Sequence, residues 1–350
     1  MPARIVVLSP NWLGDAVMAL PALCAIRGEY PEDRLVVAAR ASIAGMFRMV
    51  PGVDDVVTLD AGGGWRGAAG WASDARALAA ARADVAILLP NSFRSAWIAR
   101  RAGIAERWGF SGDLRGRLLT RPMARPQGPL HQADYYRALI SALGIAASSD
   151  TARVKVPADA GQRADELLAR HGIEQGTVMV GMAPGAAYGR AKQWPPDRYA
   201  RLVARLFERY GARSVLVGSR GDRQAGEDIA GPGHSLRLAG RGIVDLIGQT
   251  DLPLLVAVMS RCRAFVSNDS GAMHLAAAVG VPVTAIFGST DERGTAPLPA
   301  AAPAVPPHEI LSCAVWCRPC MLRECPIDHR CMTGVDPDHV ADAVGRQIRR

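Results

Sequence analysis

The chain has 350 residues, 49% of them hydrophobic, and a formal net charge of +8. That length implies two domains, each able to bury its own core, and that composition excludes a disordered or fibrous protein. No apolar run reaches the ~18–20 residues of a membrane helix, and no nucleic-acid motif accompanies the charge, which sets nucleic acid aside as a partner.

Residues 4–9 open as a β-branched apolar run, and helical periodicity follows over 14–29 at Val17, Leu20, Leu23 and Ile26. The start is basic and then apolar, but Asn11 and Asp15 interrupt it. It reads as a first strand and helix rather than a secretory leader, which places the protein in the cytoplasm. Between strand and helix lies Pro10-Asn-Trp-Leu-Gly-Asp15. Gly14 permits a tight turn or the close approach of a ligand. Asp15 falls in the first helical turn, where the helix dipole keeps a carboxylate ionised. Such a group either complements the dipole or serves as a general base. The fingerprint G-x-G-x-x-G is missing here, which disfavours a nicotinamide oxidoreductase.

Further apolar runs at 34–39, 54–59 and 84–90 alternate with helix-like segments near 42–49 and 72–83. Strands alternating with helices imply an α/β fold with a parallel, doubly wound sheet. Residues 91–125 then hold eight arginines (Arg94, Arg100, Arg101, Arg107, Arg115, Arg117, Arg121 and Arg125) against Glu106 and Asp113. They form either a solvated surface or a patch for a phosphorylated acceptor or an anionic membrane face. Residues 121–128 read as a loose stretch. Helices near 132–143 and 159–171 lead to a boundary at 172.

The second half repeats the alternation, with strands at 177–183, 213–218, 263–267 and 281–287 and helices at 197–210, 222–230, 252–260 and 271–279. The reading is two α/β domains, 1–172 and 173–335, with a cleft at the carboxyl ends of their sheets. A final helix at 336–350, with Val340, Val344 and Ile348, is expected to pack back toward the first domain. The loop Ala183-Pro-Gly-Ala-Ala-Tyr-Gly-Arg-Ala-Lys-Gln-Trp-Pro195 follows the first strand of this half. Gly185 and Gly189 let backbone amides approach an anion, and Arg190 and Lys192 neutralise a diphosphate. Only Lys155 and Lys192 are lysines among 41 basic residues, so Lys192 stands out from generic surface charge.

Asn268, Asp269, Ser270 and Gly271 are small residues suited to a helix N-terminus. Backbone N–H groups and the positive dipole end there make a phosphate site. Asp269 and His274 also answer to a cap and a core residue. Farther on, Cys313, Cys317, Cys320, Cys325 and Cys331 cluster with His329. The spacing matches no standard zinc or iron–sulfur signature. A structural metal on Cys317, Cys320, Cys325 and Cys331, packed reduced thiols, and redox chemistry all stay open.

Taken together, Asn11-Trp-Leu-Gly-Asp15, Pro90-Asn-Ser-Phe-Arg-Ser95, Lys192-Gln-Trp-Pro195, Leu246-Ile-Gly-Gln-Thr250 and Ser267-Asn-Asp-Ser-Gly-Ala-Met-His274 resemble motifs of the ADP-heptose:lipopolysaccharide heptosyltransferases, glycosyltransferase family 9. The resemblance covers nearly the whole chain and is nearest to the type II enzymes. It implies a GT-B fold of two Rossmann-like domains facing a cleft. It implies inverting transfer of L-glycero-D-manno-heptose from ADP-heptose to a heptose of the lipopolysaccharide inner core, on Kdo–lipid A. It further implies peripheral contact with the inner leaflet of the inner membrane and no required cofactor.

By matched position, Asp15 is the base and Lys192 faces the donor phosphates. Asp269, Ser270, Gly271 and His274 surround the donor, together with Gly14 and Gly185. Gly248 and Thr250 lie by the adenosine, and Asp222 by the ribose. Ala187 and Tyr188 stand where some relatives carry hydroxyl residues, which leaves phosphate contact there to backbone amides. Asn91, Ser92 and Arg94 fall on the acceptor side. Alternatives are a type I or III enzyme, another nucleotide sugar, or a metal-binding or redox-sensing protein on a transferase scaffold.

Overall fold

The buried apolar runs become strands in two sheets, both wholly parallel. The computed structural model describes residues 4–60, 67–146, 153–230, 242–299 and 305–349. The chain divides into two units, Met1–Lys155 and Val156–Arg350.

In the first unit, β1 (Arg4–Leu8), β2 (Arg34–Arg40), β3 (Asp55–Leu59), β4 (Val85–Leu88), β5 (Glu106–Phe110) and β6 (Arg121–Met123) form one sheet in the order β3-β2-β1-β4-β5-β6. Ile5 pairs in register with Leu35 on one side and Val85 on the other. The strand order reverses between β1 and β4. Two strands were not expected. The sequence Glu-Arg-Trp-Gly-Phe of β5 and Arg-Pro-Met of β6 lacks an apolar run, because β6 is a short edge strand and β5 lies beside it. The first helical stretch also breaks, into helices Leu13–Met18 and Leu20–Glu29. Pro21 stands at the start of the second and has no N–H to continue the first.

In the second unit, β7 (Met179–Ala183), β8 (Arg213–Leu216), β9 (Ile243–Asp245), β10 (Ala264–Asn268), β11 (Val283–Phe287) and β12 (Glu309–Ser312) run in the order β12-β11-β10-β7-β8-β9. Here the order reverses between β7 and β10. Every residue of β7, β10 and β11 is buried. Strands covered on both faces by helices read as continuous apolar runs.

The unit boundary falls before the expected one at 172. Helix Ala158–Arg170 packs on helix Leu252–Ser260 of the second unit. Ion pairs Arg261–Asp165 at 2.8 Å and Arg163–Asp251 at 3.0 Å fasten it there. The final helix, Pro337–Ile348, also departs from expectation. It packs on helix Pro196–Tyr210 and on β10 and β11, so it belongs to the second unit. Its buried stripe of Val340, Ala341 and Val344 joins Leu202, Val203 and Leu206 in that unit's core. Among the described residues, no helix is long and apolar enough to cross a membrane.

Candidate active site

Open parallel sheets bind ligands beyond the carboxyl ends of the two strands where strand order reverses. In the second unit those strands are β7 and β10. The loop after β7 carries Lys192, and the turn after β10 carries Asp269. Lys192 Nζ donates to Asp269 Oδ2 at 2.6 Å. The side chains are 12% and 5% exposed, so the pair is largely shielded from water. Asp269 Oδ2 also accepts from Thr290 Oγ1 at 2.7 Å. The Tyr188 ring centroid lies 4.7 Å from Lys192 Nζ, close enough for a cation–π contact.

Asn268 holds the frame of this site, a residue the sequence placed only in a turn. Its side chain is fully buried. Nδ2 donates to Pro184 O at 2.7 Å, and Oδ1 accepts from Trp194 N at 3.0 Å and from Tyr199 Oη at 3.2 Å. Pro184 and Trp194 bracket the Lys192 loop, so one amide sets both of its ends. Burial pushes the Tyr199 hydroxyl pKa upward and keeps it a donor. Trp194, itself buried, stacks edge-on against Tyr199 with centroids 4.9 Å apart.

Ser270 is the N-cap of helix Gly271–Val279 and places no side-chain hydrogen bond on it. Its Oγ instead lies 3.0 Å from Ser267 Oγ. The first-turn N–H groups beginning at Gly271 therefore receive no side-chain cap from Ser270. His274 lies one turn farther and is buried at 3% exposure.

Gly185 and Asp222 meet directly. A Cβ at Gly185 would stand 2.0 Å from Asp222 Oδ1, so only glycine fits beneath that carboxylate. Asp222 Oδ2 accepts from Ser219 N at 2.8 Å and from Ser219 Oγ at 2.7 Å, closing a capping box around the turn Arg220–Asp222. Gly248 lies alongside with φ +73°, donating its N–H to Gly218 O at 3.0 Å. The loops carrying Asp222 and Gly248–Thr250 are thus neighbours at the ends of β8 and β9.

In the first unit the reversal point lies between β1 and β4. Asp15, half-buried, is in the first turn of helix Leu13–Met18, and Gly14 lies inside that helix rather than in a turn. Burial, and secondly the Asp15 charge, push the Tyr136 hydroxyl pKa upward. The loop after β4 carries the acceptor-side candidates. Asn91 Nδ2 donates to Tyr135 Oη at 2.7 Å. Ser92 is the N-cap of helix Phe93–Arg101 and accepts from Ser95 N at 3.3 Å. Arg94 pairs with the buried Asp74.

The arginine-rich stretch is not one surface. Arg115 is wholly buried, and Arg107 donates to Leu118 O at 2.7 Å and Ala105 O at 2.8 Å. Arg125 pairs with Asp113 at 2.8 Å. Arg100, Arg101 and Arg117 are exposed. The sequence overlooked Arg115 as an internal group. Its Nε donates to Phe110 O at 2.8 Å and its Nη1 to Ser95 Oγ at 3.0 Å, and burial lowers its pKa to about 10.

Cys317, Cys320, Cys325 and Cys331 line one small cavity with His329, Ser289 and Ala191. Cys331 is buried, and burial followed by the neighbouring thiols raises its pKa. Cys313, Cys317, Cys320, Cys325 and Cys331 form no disulfide. Among the described residues no group of three such side chains is arranged to hold a metal ion.

Comparison with known proteins agrees with this architecture. The family model for glycosyltransferase family 9 (heptosyltransferase) matches residues 71–330. Lipopolysaccharide heptosyltransferase 2 of Escherichia coli K12 is 30% identical over 302 residues, covering 84% of this chain and 85% of that protein. Lipooligosaccharide heptosyltransferase 2 of Haemophilus ducreyi is 32% identical over 306 residues, covering 84% and 86%. The solved structure of E. coli ADP-heptose lps heptosyltransferase II aligns with a TM-score of 0.80 at 26% identity, covering 99% of this chain and 98% of that one. The chain belongs to glycosyltransferase family 9, the heptosyltransferases, with their GT-B fold.

Proposed function

We propose that this family 9 glycosyltransferase moves L-glycero-D-manno-heptose from ADP-heptose to a heptose of the lipopolysaccharide inner core, as a type II enzyme. The observation that carries the reading is the Lys192–Asp269 contact, 2.6 Å long, where the β7 and β10 loops meet at the reversal point of the second sheet. A shielded cation beside a helix N-terminus suits a diphosphate.

In this reading the acceptor hydroxyl gives its proton to the Asp15 carboxylate as its oxygen bonds to the anomeric carbon. The bond from that carbon to the β-phosphate oxygen breaks, and ADP leaves with the electron pair. One displacement inverts the anomeric centre. The charge growing on the β-phosphate meets Lys192 and the N–H groups at Gly271, fixed before reaction and therefore needing little reorganisation. Asp269 and Thr290 hold the Lys192 ammonium in place. Gly185 lets backbone approach the donor, with Asp222, Gly248 and Thr250 at the nucleoside end. Asn91, Ser92 and the exposed Arg100, Arg101 and Arg117 offer an anionic glycolipid its contacts at the cytoplasmic face of the inner membrane. The scheme uses side chains and amides of this chain alone; the cysteine cavity takes no step in it.

The test is transfer from ADP-heptose to inner-core acceptors carrying zero, one or two heptoses, with UDP- and GDP-sugars as rival donors. Transfer to the one-heptose acceptor from the ADP donor alone is expected. Preference for the heptose-free acceptor would make this a type I enzyme, and use of a UDP- or GDP-sugar would overturn the donor assignment.

A further inference from the structure

The cysteine-rich segment has no part in the reaction scheme, yet it touches the donor loop through three hydrogen bonds. His329 Nε2 lies 3.0 Å from Ala191 O and donates to it. Ala191 N donates to Arg323 O at 2.9 Å. Tyr188 Oη donates to Met321 O at 2.8 Å. Beside it, Met321 N donates to Ser289 O at 2.8 Å, in the loop after β11. Both backbone groups of Ala191, the residue before Lys192, are therefore taken by this segment. Gly189 lies so close that a Cβ there would stand 2.3 Å from Arg323 O.

The segment grips the opposite loop as well. Arg318 Nε donates to Gly288 O at 2.6 Å, and Arg318 Nη2 donates to Thr290 O at 3.2 Å and to Glu292 Oε2 at 2.7 Å. Thr290 is the second partner of Asp269. Contacts thus run from one strap of chain to each end of the Lys192–Asp269–Thr290 array. A lysine on a loop, with its long flexible stem, stabilises a developing charge only if its ammonium is held where that charge appears.

We propose that residues 318–329 form a strap that positions the donor-phosphate loop, with His329 and Tyr188 as positioning residues for Lys192. The proposal rests on Lys192 facing the donor diphosphate. His329 must carry its proton on Nε2 to donate to Ala191 O, so an amide nitrogen at the same reach replaces it. His329→Gln keeps the bond and His329→Ala removes it. Tyr188→Phe keeps the ring beside Lys192 and removes only the bond to Met321 O.

The experiment measures steady-state kinetics for donor and acceptor, calorimetric ADP affinity, and melting temperature for the full-length protein and the three variants. A lost hydrogen bond of ordinary strength shifts an equilibrium by about 3- to 10-fold. His329→Ala and Tyr188→Phe are each expected to raise donor KM and the ADP dissociation constant by that factor. Acceptor KM should stay within about 2-fold, and His329→Gln should restore the wild-type values. Equal loss for donor and acceptor, or no rescue by glutamine, overturns the positioning role and leaves a structural one. Should His329→Ala not fold, Tyr188→Phe decides: unchanged donor KM sinks the proposal. Absence of ADP binding to the wild-type protein would instead sink the donor reading on which the strap depends.

Discussion

Lys192 and Asp269 lie 77 residues apart in sequence and share a 2.6 Å hydrogen bond between two loops of one sheet. The bond joins the strand ends at the reversal point, so each loop fixes the other. Asp269 has a second donor in Thr290, so the carboxylate is held by two partners from different loops.

Removing Lys192 leaves Asp269 buried without its cation and, in the proposed scheme, takes a positive charge from the leaving group. Lys192→Ala is expected to lower kcat/KM for the donor by about 10²- to 10³-fold, in line with the loss of one fixed electrostatic donor. Asp269→Ala strands the ammonium instead, and loss of one partner from a buried pair costs about 3–5 kcal/mol. Urea unfolding should show that loss in Asp269→Ala, with an unchanged m-value. A midpoint equal to wild type would mean the pair is more solvated than its burial indicates.

Asp15 belongs to the other unit, so the proposed base and the proposed phosphate site can be tested by separate substitutions. Asp15→Ala should cut kcat by about 10²- to 10⁴-fold, the usual worth of a positioned general base. Calorimetric ADP affinity should remain that of the wild type. Turnover that survives the substitution would remove Asp15 from the mechanism.

Much of this was legible before any coordinates. Strands β1, β2, β7, β10 and β11 are buried on both faces and read as apolar runs, and the motifs at Asp15, Lys192 and Asp269 fall just after three of them. What stayed hidden was whatever depends on distant chain segments meeting. The edge strands β6, β9 and β12 carry Arg121, Asp245 and Glu309, because an edge is only partly covered. Arg115 counted as surface charge but is wholly internal, since its partners Phe110 O and Ser95 Oγ come from the end of β5 and from helix Phe93–Arg101. Asn268 was visible as a turn residue, and nothing in its neighbours foretold a bridge to Pro184 and Trp194. Ser219 and Asp222 stand at capping-box spacing, a local signal that the sequence reading passed over.

The contact between Gly185 and Asp222 gives a reciprocal test. Gly185→Ala drives a methyl to 2.0 Å from Asp222 Oδ1, so the carboxylate must leave and its bonds to Ser219 are lost. A lost cap costs about 1 kcal/mol. Donor KM should rise with it, because this loop borders the donor phosphates in the proposed scheme. Adding Asp222→Ala removes the obstructing group, so the double variant should be no worse than Asp222→Ala alone. Additive losses in the cycle would show that Gly185 matters for another reason.

Stability should fall on mild acidification because of His308. Its Nδ1 accepts from Val283 N at 3.0 Å and its Nε2 lies 2.9 Å from Leu298 O, which fixes the neutral tautomer with the proton on Nε2. Burial lowers its pKa below the ordinary 6.5, against the opposing pull of the Leu298 carbonyl. The unfolded chain therefore binds a proton near pH 6.5 that the folded chain refuses until lower pH. Where the unfolded state holds more protons, stability rises with pH. The contribution is complete above about pH 6.5 and declines as pH drops toward the folded pKa, where protonation also removes the acceptor for Val283 N at the start of β11. His308→Asn keeps an acceptor near Nδ1 and does not titrate. Unfolding free energies of the two proteins between pH 5 and 7.5 should diverge only at the acidic end, with the wild type losing more. Parallel curves would place the pH sensitivity in other groups.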